Sequence, residues 1–292
     1  MSVETPPGTG ALTTRWAPVR SAVPRAAFLP RVIWAHDLVT DELTVYDRDR
    51  DPHGWQAAAD SDDPLVTQWD DGHHSGTGRG KMATSSSSMP SLVVRMLTDL
   101  DPRPGQRVLE IGTGTGWNAA LLAQHLGAGN VVTIEVDPAL AEAARAALQR
   151  AGLPVEAVHG DGFAGYPAGA PYDRIIATCG LRSIPYAWIE QTRPGGVILV
   201  PWGTPFSPTE ALARLTVDGA TASGRFTRPV TFMNLRDQRR TTPPVTRTTS
   251  PPRAGTAPER APLALLARPS SLALTRPSAS LSVCGSPIAH TW

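Results

Sequence analysis

From Pro90 onward the apolar positions follow a regular rhythm. Ser91–Leu100 carries them at helical spacing, and Asp101-Pro-Arg-Pro-Gly105 ends that helix. Arg107–Ile111 reads as a short buried strand and Gly116–Leu126 as a helix. Val131–Val136 is a second strand. Pro138–Ala151 is an Ala-rich helix with proline at its start, where the missing N–H costs nothing. Strands over Val155–His159, Asp173–Thr178 and Val197–Pro201 follow, with a short helix over Pro185–Gln191 and a turn at Pro194-Gly195-Gly196. Strands alternating with helices at this pace predict an α/β architecture, a mostly parallel, doubly wound sheet covered on both faces. Residues 211–217 and 224–234, joined through Asp218-Gly219, close the pattern as a pair of strands.

The flanks lack this rhythm. Residues 1–20 are rich in Pro, Gly and Thr and read as loose. Residues 21–35 mix apolar anchors with prolines and read as a short packed segment. Residues 36–87 carry clusters of Asp, Gly, His and Ser, so a long irregular or short-stranded stretch is expected, of a length usually functional or disordered. After Arg240, Pro, Thr, Ser and Arg dominate, and a low-complexity, disordered tail is expected over 239–292. The implied division is an N-terminal, substrate-side extension over 1–87, a core over 88–238 and the tail.

Composition narrows the function. The 292 residues carry a formal net charge of +1, which gives no general attraction to nucleic acid or to anionic membrane. Two cysteines, Cys179 and Cys284, form neither a disulfide framework nor a metal-ligand spacing. The adjacent His73 and His74 lack further ligands at useful spacing, so no metal site is expected. With no apolar run long enough to span a bilayer and no leader pattern at Met1–Pro7, a cytoplasmic location is expected.

The chemistry concentrates after the first core strand. Gly112-Thr113-Gly114-Thr115-Gly116 is a glycine-rich turn between a strand and a helix, where a ligand can approach the backbone closely. Glu110 stands two residues before the first glycine, and the spacing is G-x-G-x-G, unlike the G-x-G-x-x-G of dinucleotide sites. Glu135 ends the next strand, where an acid can hold two ribose hydroxyls. After the third strand, Asp161 and Gly162 are placed to meet an adenine ring through a carboxylate and a backbone N–H. Together these suit an adenosine nucleoside with a charged amino-acid end and no pyrophosphate. Thr113 and Gly116 complete the candidate cofactor set.

The ordered series of motifs resembles the protein-L-isoaspartate O-methyltransferases. Ala22–Pro30, Ser88–Leu97, Val108–Asn118, His159–Gly162, Tyr172–Thr178, Arg193–Gly203 and Val230–Leu235 look like that family's successive segments. The resemblance implies a Rossmann-like methyltransferase fold, S-adenosyl-L-methionine as cofactor, and a peptide or protein bearing an aspartyl or isoaspartyl carboxylate as acceptor. It places the family's active-site serine on Ser88, whose hydroxyl would hold the acceptor carboxylate. A carboxylate is already ionised at neutral pH, so no general base is needed.

Two departures resemble a branch encoded beside ATP-grasp peptide ligases, which methylates an aspartate in a ribosomally made, cyclised peptide. One is the long stretch between Pro30 and Ser88. The other is Thr178–Pro185, where Arg182 offers a planar fork to a substrate carboxylate. That branch normally carries a folded C-terminal extension, which the Pro/Arg/Ser tail here replaces. Peptide tailoring is therefore the leading expectation, general isoaspartyl repair the second, and a cofactor-binding protein without catalysis the third. Oligomeric state is not legible.

Overall fold

The computed structural model describes residues 9–37, 40, 42–205 and 209–239, together with the strands 271–274 and 282–283. Thr9–Ala22 is a helix, α1, where the sequence reading expected a loose stretch. Burial explains the difference: Trp16 is 1% exposed and joins Val23 and Phe28 in the main hydrophobic core. Arg15 secures the helix by donating to Asp101 and to the Pro102 carbonyl. A single tryptophan anchor has no period, so the pattern of the sequence did not reveal it.

Residues 36–87 contain short strands and one helix. Val32–His36 (β1), Leu43–Asp47 (β2), Pro52–Asp60 (α2), Leu65–Trp69 (β3) and Ala83–Ser87 (β4) build a four-stranded antiparallel sheet of order β2-β1-β3-β4. Asp51 caps α2 by accepting from the Gly54 N–H, and Pro52 occupies its first turn. Trp55, Ala58 and Ala59 pack with Leu29, Ile33 and Leu65 into a small core of their own. The strands are short and partly exposed, which is why no strong alternation marks them.

The larger sheet follows the expected α/β plan. Its elements are Pro90–Leu100 (α3), Val108–Ile111 (β5), Trp117–Leu126 (α4), Val131–Glu135 (β6), Pro138–Arg150 (α5), Glu156–His159 (β7), Tyr172–Ala177 (β8), Tyr186–Glu190 (α6), Thr192–Trp202 (β9), Glu210–Asp218 (β10) and Thr221–Val230 (β11). The expected turn at Pro194-Gly195-Gly196 lies within β9, where Gly195 has φ 77°. Strands β7, β6, β5, β8 and β9 run parallel, and β10 and β11 extend the sheet antiparallel. Alternate residues feed opposite faces: Val108, Ile176 and Leu199 enter one core, and Leu109, Ile175 and Ile198 the other. Asp99 in α3 holds the β10–β11 hairpin through ion pairing with Arg228 and by accepting from Thr227.

The tail expectation falls largely outside the described residues. Within it, Ser271–Leu274 (β12) and Ser282–Val283 (β13) are strands that continue the edge beyond β11. No helix among the described residues is long and apolar enough to cross a membrane.

Candidate active site

The chain moves outward from β5 through β6 to β7, then returns to the other flank of β5 as β8. This reversal opens a crevice at the C-terminal ends of β5 and β8, where open α/β sheets bind ligands. A cavity of about 700 Å³ occupies it, with Glu110–Thr115, Asn118, Glu135 and Leu140 in its lining. Pro64, Leu92, Met96, Thr209 and Phe232 line it as well.

The glycine turn and its acids form one hydrogen-bonded unit. Gly114 N–H donates to Glu135 Oε2 (2.9 Å), and Asp137 N–H donates to Glu135 Oε1 (3.1 Å). Asn118 Nδ2 donates to Glu110 Oε1 (2.7 Å), and the Thr133 hydroxyl donates to Glu110 Oε2 (2.6 Å). Burial pushes the Glu110 carboxyl up to about 7 against those two hydrogen bonds, with Glu135 adding repulsion. A fully buried acid of this kind favours a cationic group beside it.

Gly114 has φ 52°, and a Cβ there would stand 3.6 Å from both Ser85 Oγ and the Ser86 carbonyl. Strand β4 therefore lies directly over the turn. It brings Ser85–Ser88 to the cavity wall, and Pro90 starts α3, whose Leu92, Val93 and Met96 line the same cavity. Ser88 lines the cavity too, and its backbone carbonyl accepts from Arg25 Nη1 (3.3 Å). Arg25, 5% exposed, also donates to the carbonyls of Ala58, Ala59, Ser61 and Asp63, so one guanidinium ties α2 to the serine segment.

Of the candidate residues, Ser88, Glu110, Gly112, Thr113, Gly114, Glu135 and Gly162 line the cavity. Three do not. Gly116 abuts Ala144, with a Cβ there only 3.2 Å from the Ala144 Cβ, so it serves the packing of α5. Asp161 is exposed and caps the turn Gly162–Ala164 by accepting from the Phe163 N–H (2.8 Å). Arg182 is turned away: its Nη1 lies 3.2 Å from Oε1 of Glu210, whose side chain is 2% exposed. That partner is the first residue of β10, beyond the reach of local pattern. Cys179 touches the cavity, and burial pushes its thiol up to about 12 with Glu135, Glu210 and Glu110 adding to the rise, which suits no nucleophile.

The sequence reading missed a strap over the cavity. After β11, Phe232 N–H donates to Glu210 Oε2, Gly180 N–H to the Met233 carbonyl and Leu235 N–H to the Gly180 carbonyl. Gln238 Oε1 accepts from the N–H groups of Arg182 and Ser183. Arg236 Nη2 reaches Asp71 Oδ1 (3.0 Å) and Asp137 Oδ2 (3.2 Å), and Arg239 Nη1 reaches both oxygens of Asp71. Gln68 donates to Asp137 as well. Burial works to raise Asp137, yet these bonds and the Leu140 and Ala139 N–H groups hold it below the usual range. His73 and His74 brace their own loop through the carbonyls of Asp70 and Gly78, and the His74 ring meets Trp34 edge-on. Among the described residues, no group of three His, Cys, Asp or Glu side chains is placed to hold a metal ion.

Residues 34–240 match the model of the protein-L-isoaspartate(D-aspartate) O-methyltransferase family. The chain belongs to that family. Similar relatives are named protein-L-isoaspartate O-methyltransferase. The Aeropyrum pernix protein is 36% identical over 227 residues, covering 74% of this chain and 82% of its own length. The Pyrococcus horikoshii protein is 46% identical over 123 residues, covering 42% of this chain and 56% of that protein. The Methanopyrus kandleri protein is 41% identical over 145 residues, 49% and 62% of the two chains. The chain thus spans less than two thirds of these last two relatives. A solved protein-L-isoaspartate O-methyltransferase superposes with TM-score 0.59 at 25% identity, over 77% of this chain and 65% of the other. A second, from Plasmodium falciparum in complex with S-adenosyl-L-homocysteine, shares the fold with TM-score 0.52 at 13% identity, over 78% and 97%.

Proposed function

We propose that this chain is an S-adenosyl-L-methionine-dependent O-methyltransferase acting on an aspartyl or isoaspartyl carboxylate of a polypeptide. The observation that carries the reading is the serine strand β4 laid across the glycine turn, with both lining one cavity. That arrangement supports a nucleoside site and an acceptor site sharing one cavity. Family membership supports the same activity.

The residues fit the cofactor. Glu135 stands at the turn for ribose hydroxyls, Gly162 and Leu140 line the same cavity, and buried Glu110 matches a cationic amino-acid end. S-adenosylmethionine supplies a methyl group on a sulfonium, and transfer leaves a methyl ester and a neutral thioether. The chain's own work is to position and to exclude water. The Ser88 hydroxyl donates to the acceptor carboxylate, and its backbone is held by Arg25. Leu92, Met96 and Phe232 keep the approach apolar. Arg236 and Arg239 of the strap line that cavity too.

The finer reading is tailoring of a constrained, ribosomally made peptide. The long stretch between Pro30 and Ser88 is what favours it, and its Asp71 pairs with Arg236 and Arg239 of the strap. Arg182 lends it no support, being committed to Glu210. Methyl transfer from labelled cofactor, compared between a linear isoaspartyl peptide and a cyclised aspartyl peptide, separates tailoring from repair. Cofactor binding without transfer to either peptide would leave a binding protein. Ser88→Ala is expected to lower turnover with little change in cofactor affinity; a variant that matches wild type in both removes Ser88 from the site.

A further inference from the structure

Ser87, on β4, and Asn234, on the strap, line the cavity, and Ser87 Oγ and Asn234 Oδ1 are buried with no hydrogen-bond partner. A buried acceptor without a donor is costly, and such groups mark places where a ligand completes the bonding. Arg236 Nε shares this condition, but its guanidinium is already committed to Asp71 and Asp137. Asn234 has no such engagement through its side chain in the described structure.

Its place in the fold says what it meets. Asn234 bridges Gly180, on the β8 flank of the glycine turn, whereas Glu135 and Asp137 stand on the β6 flank. Phe232 and Met233, its neighbours in the chain, line the cavity along with Met89, Leu92 and Met96. The amide thus lies on the β8 side of the glycine turn, opposite the β6 side that carries the ribose acid. A carboxylate acceptor has no proton to offer Oδ1, and a cationic ammonium is matched better by buried Glu110. A neutral peptide N–H fits a neutral carbonyl oxygen in an apolar wall.

We propose that Asn234 is a specificity-determining residue that accepts a backbone N–H of the acceptor chain beside the methylated carboxylate. It thereby selects polypeptides over small carboxylic acids. This rests on the methyltransferase reading above.

The test uses the full chain, labelled S-adenosylmethionine, a linear isoaspartyl peptide, and the same peptide with the backbone amides flanking the isoaspartyl residue N-methylated. Wild type loses about ten- to hundredfold in kcat/KM on N-methylation, mainly in KM. Asn234→Leu loses a similar factor on the plain peptide and little more on the N-methylated one, with cofactor affinity unchanged. Asn234→Asp, nearly isosteric, keeps the acceptor but sets a charge near the carboxylate, and raises KM for both peptides with its thermal midpoint close to wild type. Losses that simply add between Asn234→Leu and N-methylation overturn the assignment, as does an Asn234→Asp variant with wild-type KM. Weaker cofactor binding with unmoved peptide KM overturns it too and assigns Asn234 to the nucleoside. If wild type methylates neither peptide, the acceptor reading itself falls, and this assignment with it.

Discussion

Arg236 Nη2 stands between two carboxylates, 3.0 Å from Asp71 and 3.2 Å from Asp137, and so links the small sheet's loop to the first turn of α5. Asp137 caps α5 by accepting from the Ala139 and Leu140 N–H groups, so the link ends on a rigid element. Arg239 repeats the contact to Asp71. The four charged side chains form a clasp beside the cavity, which Arg236 and Arg239 line.

Asp71→Ala opens this clasp from one side. Asp71 and both arginines retain some exposure, so each exposed pair is worth less than about 1 kcal/mol. Release of S-adenosylhomocysteine is expected to accelerate roughly three- to tenfold, on loss of a small network at these magnitudes. Stopped-flow displacement measures this, and high salt should bring wild type toward the variant. Equal release rates at low salt would show that the clasp does not gate the nucleoside.

Glu135→Ala removes the acceptor for the Gly114 N–H as well as the proposed ribose contact. Cofactor affinity is expected to fall by about 1.5–3 kcal/mol for each charge-assisted bond lost. Calorimetry that finds wild-type affinity removes Glu135 from the site.

Glu110 sets a pH dependence of stability. Burial raises its carboxyl from 4.5 to about 7, so between those values the unfolded chain gives up this proton while the folded chain keeps it. Folded protein binds more protons there, and stability must fall as pH rises through that window. Glu110→Gln should flatten this slope in urea titrations between pH 4.5 and 7 in the absence of ligand. A slope unchanged by the substitution would assign the effect to other groups.

Arg25→Ala strips the donor from five carbonyls at once, those of Ala58, Ala59, Ser61, Asp63 and Ser88. A loss of about 3 kcal/mol or more is expected in chemical denaturation, given that bonds to a charged donor contribute about 1.5–3 kcal/mol each. Arg25→Lys should recover little, since an ammonium cannot reproduce the fork. A fully stable lysine variant would mean that the geometry of Arg25 is unimportant.

The parallel sheet was legible because its strands are buried on both faces and its helices keep a regular period. The glycine turn and Glu110 and Glu135 were legible for a related reason, as they sit at fixed offsets from a strand end. Asp161 followed the same offset logic, but its side chain turns back to cap its own loop. Arg182 illustrates the limit more clearly. An arginine in a loop after a strand invites a ligand, and only tertiary contact shows that Glu210 takes it. Trp16 and the clasp of Asp71, Arg236 and Arg239 join residues far apart in the chain, a relation that no local spacing encodes. Asn234 was part of a recognised strand motif, but an unpartnered amide oxygen becomes visible only once its surroundings are packed.

Strand β4 is the edge of the small sheet and also the cover over Gly114. It cannot loosen from β3 without uncovering the turn beneath it. Ligand binding and local opening of the small sheet are therefore linked, and whatever fills the nucleoside end holds β4 down by mass action. Saturating S-adenosylhomocysteine should slow amide hydrogen exchange along β4 and its partner β3, including at positions that no ligand touches.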